Sequence, residues 1–158
     1  DKVAAMRREI VRWAPDIMGL QECPGEEPWG NLCDSMEFVG SARAHSGFVH
    51  LYVRRGLPHA RVGVEGKCLC VIADLKLRDE SVKVVSAHLA PHDGAAASRL
   101  KQVEEIGRMC GSGALVLLGD LNVREEEMGA VRETRGFSEA VYKGKSWDPS
   151  RNKFDAEL

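Results

Sequence analysis

The run from Lys67 to Arg78 constrains this chain most. Leu69, Val71, Ala73, Leu75 and Leu77 alternate with Cys68, Cys70, Ile72, Asp74 and Lys76, the period of two that a β-strand imposes. The turn Arg78-Asp79-Glu80-Ser81 follows, and Val82 to Leu89 reads as the partner strand. Two more strands are expected before it, Phe38 to Ala44 and Phe48 to Arg54, bridged by His45, Ser46 and Gly47. The middle of the chain therefore reads as mainly antiparallel sheet.

Helices and single strands flank that middle. Val3, Met6, Ile10 and Trp13 recur at helical spacing, with Arg7, Arg8 and Arg12 on other faces and Pro15 closing the element. Ile17 to Gln21 is a short apolar run of strand length, and Pro24 to Gly30 a loop. Ala95 to Cys110 is a helix with Leu100, Val103, Ile106 and Met109 or Cys110 inward, ended by Gly111 and Gly113. Ala114 to Leu118 is wholly apolar and is expected to be buried on both faces. Glu126 to Thr134 reads as a short helix, and Lys143 to Leu158 as irregular. This order implies a layered α/β or α+β fold.

Composition bounds the function. With 158 residues the prior is one domain. Hydrophobic residues at 44% and charged residues at 29% exclude a disordered tail. No apolar run approaches the ~18 residues that cross a bilayer, so no membrane partner is expected. Lys plus Arg number 22 and Asp plus Glu 24, which argues against a sequence-blind basic nucleic-acid coat but leaves a local basic groove open. Five cysteines (Cys23, Cys33, Cys68, Cys70 and Cys110) with no CxxC pair and no leader pattern point to reduced thiols inside a cell. His45, His50 and His59 read as loop or strand surface residues.

Polar residues recur where apolar strands end. Ile17 to Gln21 runs into Glu22, the strand after the turn carries Ser86 and His88, and Ala114 to Leu118 runs on to Asp120 and Asn122. Such endings present groups to a cleft. Glu22 suits a hard cation such as Mg²⁺, which takes one or two carboxylates plus waters and phosphate oxygens. Asp120 can orient or deprotonate a water, Asn122 can donate to a phosphoryl oxygen, and a protonated His88 can stabilise developing charge. Together they would make a metal-assisted phosphodiester hydrolase.

Three segments carry a resemblance. LQE at Leu20 to Glu22, SxHL at Ser86 to Leu89 and GDLN at Gly119 to Asn122 resemble, in order and spacing, the DNase I-like endonuclease/exonuclease/phosphatase family. That resemblance implies a four-layer α/β/β/α sandwich. The branch of 5′-tyrosyl-DNA phosphodiesterases is most similar, through Arg99 with Gln102, GDLNVRE at Gly119 to Glu125, and Ser146-Trp147-Asp148 with Asn152. The likeness implies catalytic roles for Glu22, His88, Asp120 and Asn122. It implies substrate contacts for Arg99, Arg124, Trp147 and Asn152, and Glu22 as holder of Mg²⁺, or Mn²⁺. It also implies a single-stranded or 5′-end DNA partner and a nuclear or cytoplasmic setting.

Alternatives stay open. Trp147 also reads as a core or lid aromatic, Arg124 as a solvated charge pairing Glu126 or Glu127, and Arg99 as a brace of the sheet. A deadenylase, an abasic-site endonuclease, an inositol or lipid phosphatase, or a non-catalytic binding module is compatible with the same motifs. The family's first strand with its Asn has no equivalent before the first helix, and no Ser-Asp-His follows Asn152. Pro91 stands where the tyrosyl-DNA enzymes have a serine. The expectation is therefore a single domain over residues 1–158, incomplete at both ends and nearly inactive alone.

Overall fold

The computed structural model describes residues 2–28, Leu32, 34–62 and 70–137. The elements run α1 (Lys2–Trp13), β1 (Ile17–Cys23), β2 (Met36–Ala44), β3 (Gly47–Arg54), β4 (His59–Val62), β5 (Cys70–Leu77), β6 (Glu80–His88), α2 (Ala96–Cys110), β7 (Ala114–Asp120) and α3 (Met128–Arg135). One-turn 3-10 segments at Asp93–Ala95 and Glu125–Glu127 lead into α2 and α3. The fold is α+β. No helix among the described residues is long and apolar enough to cross a membrane.

Two sheets form. In the first, ordered β1-β3-β2, both pairings are antiparallel. In the second, ordered β4-β5-β6-β7, only β6 and β7 run parallel. That one parallel pair needs a crossover, and α2 supplies it. The β5–β6 turn is tighter than expected: Leu77 pairs Glu80, and Arg78 takes a left-handed φ of 57°. The short edge strand β4 gave no periodic signal, being only four residues long.

Three apolar clusters fill three interfaces, which makes four layers. Ile10, Met36 and Tyr52 join α1 to the outer face of the first sheet. Leu51, Val53, Val71, Ala73, Leu75 and Val84 lie between the sheets. Cys70, Ile72, Val85, Ala87, Val103, Ile106, Cys110 and Val131 join the second sheet to α2 and α3. The alternation in β5 sends Val71, Ala73 and Leu75 to one interface and Cys70 and Ile72 to the other, as a strand buried on both faces requires. Helix α1 ends at Ala14, whose amide reaches Ile10 O at 2.8 Å from a φ of 42°, and Pro15 prevents continuation.

Three expectations need correction. Strand β7 is not buried on both faces: Val116 is 44% exposed. It is the edge of its sheet among the described residues, so only Leu115 and Leu117 meet the helix layer and Leu118 the inter-sheet core. Trp13 is 70% exposed rather than on the inward face of α1. Its Nε1 donates to Glu9 at 3.0 Å, and the Arg12 guanidinium lies over the ring. His50 is fully buried rather than a surface residue. Position 50 of β3 faces α1, beside Phe38 and Tyr52. His45 is exposed and His59 half-buried. Cys23, Cys70 and Cys110 are buried and form no disulfide among the described residues, and burial pushes the Cys23 thiol up to about 11. Cys33 and Cys68 lie outside the described residues.

Candidate active site at the ends of three strands

Glu22 sits in a β-bulge. Leu20 pairs His50 but Cys23 pairs Phe48, so β1 carries one extra residue there. A bulge turns a side chain away from the strand's alternation, and Glu22 does this with a left-handed φ of 56°. Its carboxylate is exposed and accepts a hydrogen bond from Ser46 Oγ at 2.8 Å. Neighbouring Gln21 reaches across the sandwich, its Nε2 donating to Ser86 Oγ of β6 at 3.2 Å.

The same end of the second sheet holds the other three residues. In the parallel register His88 lies beside Asp120 and Ala87 beside Gly119. Gly119 has φ 128°, and a Cβ there would stand 2.1 Å from Ala87 O and 3.0 Å from Gln21 Nε2. Gly19 is equally tight, since a Cβ would meet Leu118 and Ser86. Glycine at 19 lets β1 cross this closely over β6 and β7, and glycine at 119 clears the Ala87 carbonyl within the second sheet. Gln21 thus touches Ser86 and approaches Gly119, so the strand end carrying Glu22 lies at the same end of the sandwich as those carrying His88, Asp120 and Asn122.

Asp120 and Asn122 form a rigid couple. The Asn122 amide donates to Asp120 Oδ1 at 3.2 Å, and Asn122 Nδ2 donates to Leu89 O at 3.1 Å. Asn122 takes a left-handed φ of 49°, which asparagine tolerates better than most residues. Among the described residues four non-glycines have positive φ, and two of them are Glu22 and Asn122; strained backbone concentrates at functional positions. Asp120 keeps its carboxylate 57% exposed, with Oδ2 3.9 Å from His88 Nε2. His88 is buried, and its Nδ1 is without a hydrogen-bond partner among the described residues.

Arg99, expected at the substrate, is a buried brace. Its Nε and Nη2 donate to both Glu127 oxygens at 2.8 and 2.5 Å, and its Nη1 to Ala90 O and His92 O at 2.8 and 2.7 Å. The hydrogen bond to Arg99 holds the Glu127 carboxyl below the usual carboxylate range, and the same bond raises the Arg99 guanidinium. Arg99 falls in phase with Val103, Ile106 and Cys110 on the buried stripe of α2, which is the signal that marks it as structural. Gln102 accepts from Ala90 N at 3.0 Å. Arg124 is exposed and pairs with Asp93 at 2.6 Å rather than with Glu126 or Glu127. The Arg99 and Arg124 bonds tie the loop after β6 to the segment after β7. Trp147 and Asn152 lie outside the described residues.

Among the described residues no three His, Cys, Asp or Glu side chains gather to cage a metal. A water-rich cation needs no such cage, because Mg²⁺ is commonly held by one or two carboxylates with waters and phosphate oxygens completing the shell. The exposed Glu22 carboxylate, with one oxygen held by Ser46, fits that donor set.

No family model and no curated protein sequence matches the chain. Solved structures do. A humanized D. rerio TDP2 is 17% identical over 82% of this chain and 58% of that one, with a TM-score of 0.60. D. rerio TDP2 complexed with a single-strand DNA product is 16% identical over 82% and 57%, at 0.58. The endonuclease domain of TRAS1, a telomere-specific non-LTR retrotransposon, is 18% identical over 85% and 67%, at 0.62. The chain thus spans less than two thirds of the two TDP2 chains. What it shares with these structures is the DNase I-like fold.

Proposed function

We propose that this chain is the phosphate-cutting part of a Mg²⁺-dependent phosphodiesterase acting on single-stranded or 5′-end DNA, with a 5′-phosphotyrosyl bond as its substrate. The reading is supported by the strand ends that carry Glu22, His88, Asp120 and Asn122 lying at one end of the sandwich. In it Glu22 holds the cation, with Mn²⁺ as a substitute. Bound there, the cation would neutralise charge on the phosphate oxygens. Exposed Asp120 orients the attacking water and accepts its proton. The second Nδ2 hydrogen of Asn122 donates to a phosphoryl oxygen. Buried His88 limits where the Asp120 carboxylate can turn and faces the phosphate from below.

Support for a DNA substrate comes from the fold neighbours, one bearing a single-strand DNA product and another an endonuclease domain. Exposed Arg124 lies on the loop after β7, where exchanging Asp93 for a phosphate takes only a side-chain movement. Support for the tyrosyl leaving group rests on the sequence likeness of Arg124, Trp147 and Asn152, since Arg99 is spent on Glu127. A general endonuclease is the second reading, favoured by the likeness to the TRAS1 domain. A DNA substrate fits a nuclear or cytoplasmic protein.

The test compares a 5′-tyrosyl oligonucleotide, poly(A) and an abasic duplex as substrates of the protein as encoded. Glu22→Gln and Asp120→Asn should each lower turnover by about a thousandfold while melting like the parent, because both carboxylates are solvent-facing. Undiminished cleavage in both variants would refute the assignment, and preference for another substrate would move it to the second reading.

A further inference from the structure

The segment Glu22 to Gly25 packs against β3 and the hairpin turn before it. Ser46, in that turn, donates to Glu22 Oε1 at 2.8 Å. Gly47, with φ 133°, lies so close that a Cβ would stand 2.7 Å from Cys23 O and 3.2 Å from the Glu22 carbonyl carbon. His50, further along β3, donates from Nε2 to Gly25 O at 2.8 Å, and its Nδ1 lies 3.3 Å from the Tyr52 hydroxyl. The donor role follows because a carbonyl oxygen only accepts. The turn and the strand thus hold the backbone at Glu22 and just after it, and a left-handed glutamate needs such support to persist.

Only one of these contacts touches the carboxylate. A glutamate side chain in water samples many rotamers, and each one it abandons on binding a cation weakens that binding. Ser46 removes much of that freedom in advance. It also occupies one oxygen and leaves Oε2 open among the described residues.

We propose that Ser46 is a positioning residue for Glu22: its hydroxyl fixes the carboxylate rotamer and directs Oε2 toward a divalent cation, so that Ser46 sets cation affinity and not the rate of the chemical step. This rests on Glu22 being the cation holder. Hydrogen-bonded partners of a metal ligand commonly change affinity by roughly 10–100-fold when removed.

Mn²⁺ binding, read by loss of the free-ion electron paramagnetic resonance signal, tests this in the full protein without substrate. Ser46→Ala should weaken binding by about tenfold or more, and Ser46→Gly likewise. Ser46→Thr, which keeps the hydroxyl, should bind within about threefold of the parent. Melting temperatures without metal should stay within about 2 °C of the parent for all three, since Ser46 is exposed in a turn. The metal concentration for half-maximal activity should rise in Ser46→Ala while the saturated rate holds. If Ser46→Ala and Ser46→Gly bind Mn²⁺ like the parent while Glu22→Gln does not, the role of Ser46 fails and Glu22 stands. If Glu22→Gln also binds like the parent, the cation assignment itself fails. Loss of binding that comes with a lowered metal-free melting temperature, or that Ser46→Thr shares, makes Ser46 merely structural and overturns the proposal.

Discussion

Replacing Arg99 with alanine should unfold this protein more readily and leave substrate affinity a secondary matter. The guanidinium is fully buried and makes four hydrogen bonds, two to Glu127 and two to the carbonyls of Ala90 and His92. Truncation strands a carboxylate that is only 13% exposed and two carbonyls. Removing one partner of a buried pair costs about 3–5 kcal/mol. The slight exposure of Glu127 places this case near the lower bound, about 3 kcal/mol. For a domain of this size each kcal/mol moves the melting temperature by about 2–4 °C, so Arg99→Ala should melt about 6–12 °C lower. Arg99→Lys should recover little, because an ammonium cannot span both Glu127 oxygens and the two carbonyls at once. Arg99→Met combined with Glu127→Leu should cost less than the sum of the single changes, since no charge is then left unpaired. Thermal and urea melts without substrate measure all of this. An Arg99→Ala protein that melts within about 2 °C of the parent yet shows a raised KM would refute the reasoning and return Arg99 to the substrate.

Two further predictions follow from the same end of the sandwich and from its ion pairs. Gly119→Ala should cost at least about 2 kcal/mol, through its positive φ and the Ala87 carbonyl in the way, and should also depress turnover by displacing Asp120; chemical denaturation with a parallel activity assay checks it, and a stable, active variant contradicts the close approach of Gly119 to the Ala87 carbonyl of β6. Glu127 is held low by Arg99, and Asp74 by Ser81 first and then Lys83; their contribution is therefore complete above the unfolded carboxyl range near ~4 and is lost as pH falls through the lower folded values. Stability against pH should accordingly fall less steeply on the acid side in Glu127→Gln and Asp74→Asn than in the parent, and unchanged slopes would show those carboxyls to be unperturbed.

Local periodicity made most of the elements readable. The alternation through β5 gave a strand apolar on both parities, and the stripe of Val103, Ile106 and Cys110 gave the inward face of α2. Single polar residues within apolar patterns were harder to read, because pattern does not show what stands opposite. Arg99 lies on a buried stripe, but its partner Glu127 is 28 positions away. His50 alternates correctly for burial, yet Gly25 O, which satisfies it, belongs to another loop. Strand β7 has the composition of a central strand and the position of an edge.

The sequence by itself determined the element order, the α+β class and the three strand endings that carry Glu22, His88 and the Asp120–Asn122 couple, since hydrophobic period and turn chemistry act over a few neighbouring residues. Only the tertiary structure decided that those endings meet. That depended on Gly19 letting β1 pass over β6 and β7, on Gly119 clearing the Ala87 carbonyl, on one extra residue in β1 turning Glu22 outward, and on a parallel register setting His88 beside Asp120. Contacts between residues tens of positions apart are set by packing and backbone clearance, which no local pattern encodes.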